Sequence, residues 1–93
     1  MRRKARTIGV LAKSFTIEIL EAVSKKPRRF TDLKQACPNA STRATRLREL
    51  RRGGFIRSII LEIGEQSFIH FTITDKGKNA LQLLQQLEKL SKS

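Results

Sequence analysis

Ninety-three residues set the size of one domain. A chain this short buries only about 60–65% of its unfolded surface, so its core is small and self-association is an expected source of stability. Twenty Lys and Arg against eight Asp and Glu leave a net charge of +12, which points to a polyanionic partner, nucleic acid ahead of an anionic membrane, while the single cysteine excludes an intrachain disulfide.

The charge is uneven. Residues 1–54 hold 15 Lys and Arg against four acids, and residues 55–93 hold five against four. No apolar run reaches membrane-spanning length. The start, MRRKARTIGVLAKSF, lacks the hydrophobic core and small-residue cleavage site of a signal peptide, so a cytoplasmic protein is expected. Residues 1–9 read as a basic arm, in which Arg2, Arg3, Lys4 and Arg6 are suited to a minor groove. Residues 10–90 read as one domain, closed by a helix over about 75–92 that serves dimerisation.

A first helix is predicted from Val10 to Lys25 and ends at Pro27. Ala12, Phe15, Thr16, Ile19, Ala22 and Val23 share one face at helical spacing. Ile17 and Leu20 fall outside it, more apolar surface than one contact needs. A second, short helix is TDLKQAC, capped by Thr31, stapled by Phe30 and closed by Pro38. Leu33 and Ala36 point inward, and Cys37 is a small buried hydrophobe.

The third helix runs from Ala40 to Arg52, with Asn39 or Ser41 as its cap. With Leu47 at the centre of the buried face, Ala40, Ala44 and Leu50 lie within about 60° of it. Thr42, Thr45, Glu49 and Arg52 point away, and Ser41, Arg46 and Arg48 flank. Arg43 lies near the buried edge and reaches outward only if its stem snorkels. Gly53–Gly54 then supplies a cap that tolerates positive φ.

After Gly54 the periodicity changes. FIRSIILEIGEQSFIHFTIT alternates and is rich in Ile, Phe and Thr, which predicts two strands with a turn near Gly64–Glu65. Ile69, Phe71 and Ile73 face one way, and Phe68, His70 and Thr72 the other. His70, the only histidine, is expected on an exposed face as an ordinary surface residue. A last helix follows, capped by Thr74 or Asp75. Ala80, Leu81, Leu83, Leu84, Leu87 and Leu90 cover about 180° of it, wider than a single core requires.

Helix, helix, helix, strand, strand, helix is a mainly α fold with a small β-hairpin (α+β), the winged helix-turn-helix layout. In it the third helix enters the major groove. The expected base-edge residues are Thr42, Arg43 and Thr45, in the turns that enter first, with Ser41 a DNA-binding residue on their flank. Arg52 and, at the base of the wing, Arg57 are expected phosphate contacts, Arg46 and Arg29 serve either phosphate or packing, and Arg3 is the arm's expected DNA contact. Glu65 at the wing tip opposes deep insertion beside phosphates. Ile17, Leu20, Leu83, Leu84, Leu87 and Leu90 are the expected dimer surface.

The ordered pieces Arg29-Phe30, Leu33, Arg46-Leu47-Arg48-Glu49-Leu50, Gly54-Phe55-Ile56 and Thr74-Asp75-Lys76-Gly77 resemble the HxlR-type winged-helix transcription regulators, within the broader MarR/ArsR-like group. The resemblance implies a DNA-binding homodimer paired through terminal helices, with a hairpin wing on the minor groove or backbone. Phe15 stands near the family's first-helix tryptophan. No cysteine precedes it, so electrophile sensing is not indicated. The third helix is shorter than the family's between Pro38 and Arg46.

The leading function is therefore a regulator of transcription, a homodimeric repressor on a pseudo-palindromic duplex, associated with the nucleoid when bound. A DNA-coating or architectural protein of low specificity is the alternative. An RNA-binding or protein-docking winged helix is disfavoured by the scarcity of aromatics for stacking. No phosphate loop, nucleophile–base pair or carboxylate pair marks an enzyme. No cofactor, metal site or small-molecule effector is indicated.

Overall fold

A computed structural model describes residues 6–91, with side chains from residue 8 onward. The chain forms α1 (Arg6–Leu11), α2 (Thr16–Lys25), a 3₁₀ turn (Thr31–Leu33), α3 (Ala40–Arg52), β1 (Ile56–Ile63), β2 (Gln66–Ile73) and α4 (Asp75–Ser91). This is the α+β winged helix expected, with α1 crossing the boundary expected between residues 9 and 10.

The first helix differs from its sequence reading. It is two helices, broken at Phe15, whose φ of 68° is left-handed. A bulky residue there is a genuine outlier, and such a position costs of order 1–3 kcal/mol. The break rotates the faces. Thr16, Ile19, Leu20 and Val23 are buried, whereas Ala12 and Phe15 are exposed. Leu20, expected at the dimer surface, is a core residue at 0% exposure. Lys26 before Pro27 is extended, as the proline ring demands of its predecessor.

The segment between Pro27 and Pro38 does not form the short helix expected. It makes one 3₁₀ turn, and Cys37 N–H donates to Leu33 O at 2.9 Å. The Thr31 side chain does not cap it. Instead the Asp32 carboxylate accepts from Arg29 N–H at 2.9 Å. Leu33 and Cys37 are fully buried.

β1 and β2 pair antiparallel from Ile56↔Ile73 to Ile63↔Gln66, around Gly64 at φ 66°. Arg28 exchanges two backbone hydrogen bonds with Phe71 and adds a one-residue third strand. At the hairpin root Ile56 and His70 are buried while Arg57 and Ser58 are exposed. His70 has its Nδ1 3.1 Å from Phe68 O and is not exposed as its alternation suggested. Farther out, the paired Ile60 and Ile69 are 69% and 59% exposed.

The Thr-Asp-Lys-Gly stretch fastens α4 to the end of α3. Thr74 Oγ1 donates to Gly54 O at 2.6 Å and accepts from Gly77 N–H at 3.0 Å. Lys76 Nζ donates to Gly53 O at 2.7 Å and stands over the Phe55 ring. A cation there suits the negative end of α3. Gly77 packs so tightly that a Cβ would stand 2.0 Å from Phe55 O. Gly54, at φ 82°, takes the left-handed position that ends α3.

Candidate nucleic-acid interface

α3 begins at Asn39, whose side chain accepts from Thr42 N–H at 2.9 Å. That fulfils the cap expected from sequence. Its buried residues are Arg43, Leu47 and Leu50, spaced i, i+4, i+7 along one stripe. Ala40 and Ala44, expected inside, are exposed.

Arg43 is the largest correction. It is 3% exposed. Its Nε donates to Cys37 O at 2.8 Å and its Nη2 to Pro38 O at 2.9 Å. The guanidinium lies 4.5 Å from the centre of the Phe30 ring. Two donors and one face are thus spent on the segment before α3. Arg43 seats the helix, its guanidinium buried among these partners.

Arg46 is also committed. Its Nε donates to Ser14 O at 2.9 Å, and its Nη1 lies 3.3 Å from the Glu49 carboxylate. Its side chain is 15% exposed. These contacts tie the position to the turn before α2 and to the next turn of α3.

With Arg43 at the centre of the inner stripe, the outward face is redrawn. Ser41, Ala44, Arg48, Arg51 and Arg52 are exposed, and Thr42 and Thr45 are half-buried beside them. Arg48, Arg51 and Arg52 form no ion pair with any acid among the described residues. Arg48 and Arg51 flank a shallow hollow of about 210 Å³ floored by Phe30, Leu47 and Phe71. Exposed Ala44 lies in the same hollow, so the backbone there can approach a duplex closely. The wheel centred on Leu47 put Ala44 inside, Arg48 on the flank and left Arg51 without a place. Alanine loses little by exposure, and a long arginine can be buried if its donors are used.

The flanking candidates separate. Arg57 is exposed at the hairpin base and forms no ion pair among the described residues. Arg29 is half-buried, its guanidinium 4.6 Å from the Phe68 ring centre and 3.9 Å from the Asp32 carboxylate. Arg3 lies outside the described residues. The wing from Ser58 to Ile73 contains Glu62 and Glu65 and no Lys or Arg, so it offers phosphates no cation.

A second surface is apolar. Ile8, Leu11, Phe15, Ile17, Leu83 and Leu87 line a groove of about 580 Å³ between α1, α2 and α4. Ile17 and Leu84 are half-buried. Leu83, Leu87 and Leu90 are 62%, 60% and 71% exposed.

The model of the HxlR-like helix-turn-helix family matches residues 10–93. The chain belongs to that family. It is accordingly a DNA-binding transcription regulator rather than an enzyme. Solved structures carry the same fold. Diamide-treated YodB from B. subtilis superposes at a TM-score of 0.79 with 20% identity, over 92% of this chain and 86% of that one. Smu.1704 from Streptococcus mutans UA159 gives 0.75 with 24% identity, over 86% and 82%. A PadR family transcription regulator from Clostridium difficile R20291 gives 0.78 with 16% identity, over 86% and 92%. No relative was found among curated proteins. Among the described residues, no helix of this HxlR-like protein is long and apolar enough to cross a membrane.

Proposed function

We propose that this regulator is a homodimeric repressor that blocks a promoter by occupying a pseudo-palindromic duplex, with α3 of each subunit in the major groove. The carrying observation is the outward face of α3, with three unpaired arginines over an inner stripe locked by Arg43. On this reading Ser41, Thr42, Ala44 and Thr45 meet base edges, and Arg48, Arg51, Arg52 and Arg57 meet phosphates. Arg29 is a flanking phosphate contact and Arg3 a minor-groove contact of the arm.

The dimer reading rests on the apolar groove and the exposed leucines that continue it along α4. Its rim holds Lys13, Glu18 and Glu88, both signs, as a self-complementary two-fold contact can use. Two such subunits set the recognition helices about 34 Å apart, one DNA turn.

Gel-shift titration tests the function. With about four phosphates neutralised per subunit, log Kd against log salt has a slope of magnitude near 7. The selected site is preferred over random duplex by roughly a thousandfold or more. Equal affinity for both, at that same slope, converts the reading to a DNA-coating protein of low specificity, which the +12 charge would also serve.

A further inference from the structure

The three residues Lys13, Ser14 and Phe15 touch both surfaces at once. Phe15 holds the only left-handed non-glycine φ among the described residues, and its side chain walls the apolar groove. One residue earlier, Ser14 gives its carbonyl to Arg46 Nε at 2.9 Å, and its hydroxyl stands 3.5 Å from Arg46 Nη2. Lys13 Nζ meets the Glu49 carboxylate at 3.3 Å. Arg46 and Glu49 are themselves paired on α3 at 3.3 Å. Groove wall and recognition helix are therefore separated by one peptide link and one layer of charge-assisted hydrogen bonds. A residue held in a sparsely populated conformation persists only where its surroundings over-determine it. Here those surroundings are the groove on one side and α3 on the other.

We infer that the Lys13–Phe15 junction couples subunit pairing to the pose of the recognition helix, with Arg46 and Glu49 as its positioning residues. A second copy seated in the groove fixes Phe15. The fixed junction holds α3 through Ser14 O and Lys13, and DNA on α3 tightens pairing in return, because binding linkage is reciprocal. The inference rests on the proposed homodimer. The occupant is a second copy because the groove runs on into the exposed leucines of α4 and its rim carries both charge signs.

The test is sedimentation equilibrium of the full chain, alone and with a saturating duplex bearing one half of the site selected from a random pool. The coupling is the ratio of the two dimerisation constants. For the natural chain it is expected to be about tenfold. Arg46→Lys keeps the charge and loses the planar fork on Ser14, and Glu49→Gln removes the acid that both Arg46 and Lys13 grip. Each is expected to bring the ratio close to one, with DNA-free dimerisation unchanged. Glu49→Gln adds a test of sign. Removing an anion beside DNA tightens binding to every sequence by charge alone, whereas a lost pose lowers preference for the selected site over random duplex. A tenfold ratio retained in both variants, or equal tightening on both duplexes, overturns the coupling. So does a natural dimer whose ratio is one. A chain that stays monomeric overturns the homodimer itself, a separate result. If one variant unfolds, the other decides.

Discussion

α3 and α4 are both two-faced helices, and their outer faces make opposite demands. α3 turns Arg48, Arg51 and Arg52 to solvent, and α4 turns out Leu83, Leu87 and Leu90. Hydrated guanidinium groups are at ease in water and release counterions on meeting a polyanion. An exposed leucine forgoes roughly 1.5–3 kcal/mol that burial would supply. The inner faces differ as well. α4 packs through Ala80 and Leu81, whereas α3 adds a buried, hydrogen-bonded arginine to Leu47 and Leu50. A helix that presents charge to a duplex must not roll, and the Arg43 fork on Cys37 O and Pro38 O resists rolling as apolar contacts alone do not.

The strongest way to break the comparison is to separate the two helices. Gly77→Ala places a Cβ against the Phe55 carbonyl, which is main chain and cannot swing aside. Overpacking of this kind costs about 3 kcal/mol or more, a fall in Tm of at least ~10 °C for a domain of this size. A thermal melt by circular dichroism checks it, and an unchanged Tm would mean that α4 is not seated on Phe55 as described.

Arg43→Met tests the inner face of α3. The apolar stem remains while two buried carbonyls lose their donors, at a cost of about 2–3 kcal/mol. The urea midpoint should fall without a change in slope. Selectivity among duplexes, measured at a temperature where the variant is still folded, should stay as in the natural chain. Lost selectivity with normal stability would return Arg43 to the bases.

The fold was legible because its signals are local and repeated. Pro27, Pro38, Asn39 and the Gly53–Gly54 pair mark the bounds of elements, and the switch to alternation after Gly54 marks the hairpin. The recognition helix was read at its observed bounds, Ala40 to Arg52. What could not be read was rotation. The wheel ranks residues by polarity, so it put Ala44 inside and Arg43 at the edge. The true inner stripe is fixed by the Cys37 and Pro38 carbonyls and the Phe30 ring, which only folding brings to Arg43. The break at Phe15 was hidden for the same reason. Ser14 O leaves the helical ladder for an arginine 32 residues away, and no periodicity records that. Leu20 moved into the core as a direct consequence.

Leu83→Glu with Leu87→Glu tests the outer face of α4. Both side chains are already exposed in the single chain, so its melting temperature should change little at low concentration. Pairing should weaken at least hundredfold, about 2.7 kcal/mol, because two carboxylates per subunit would lose water in the seam. Sedimentation velocity over a range of concentrations reads the change. A dimer of unaltered strength would move the pairing surface away from α4.

Arg52→Ala has the smallest expected effect and asks most directly what the outer face of α3 is for. Arg52 is exposed and unpaired, so its loss should leave stability within about 0.5 kcal/mol. A phosphate contact carries charge and no base information. Its removal should therefore weaken selected and random duplexes by the same factor and lower the magnitude of the salt slope by about 0.9 per subunit. A base contact would behave otherwise, costing about 1–3 kcal/mol on the selected site alone and leaving random duplex nearly untouched. Measured across a salt series, the two outcomes differ in which line moves. If neither line moves, Arg52 lies off the duplex and the contact face of α3 shifts toward Arg48 and Arg51.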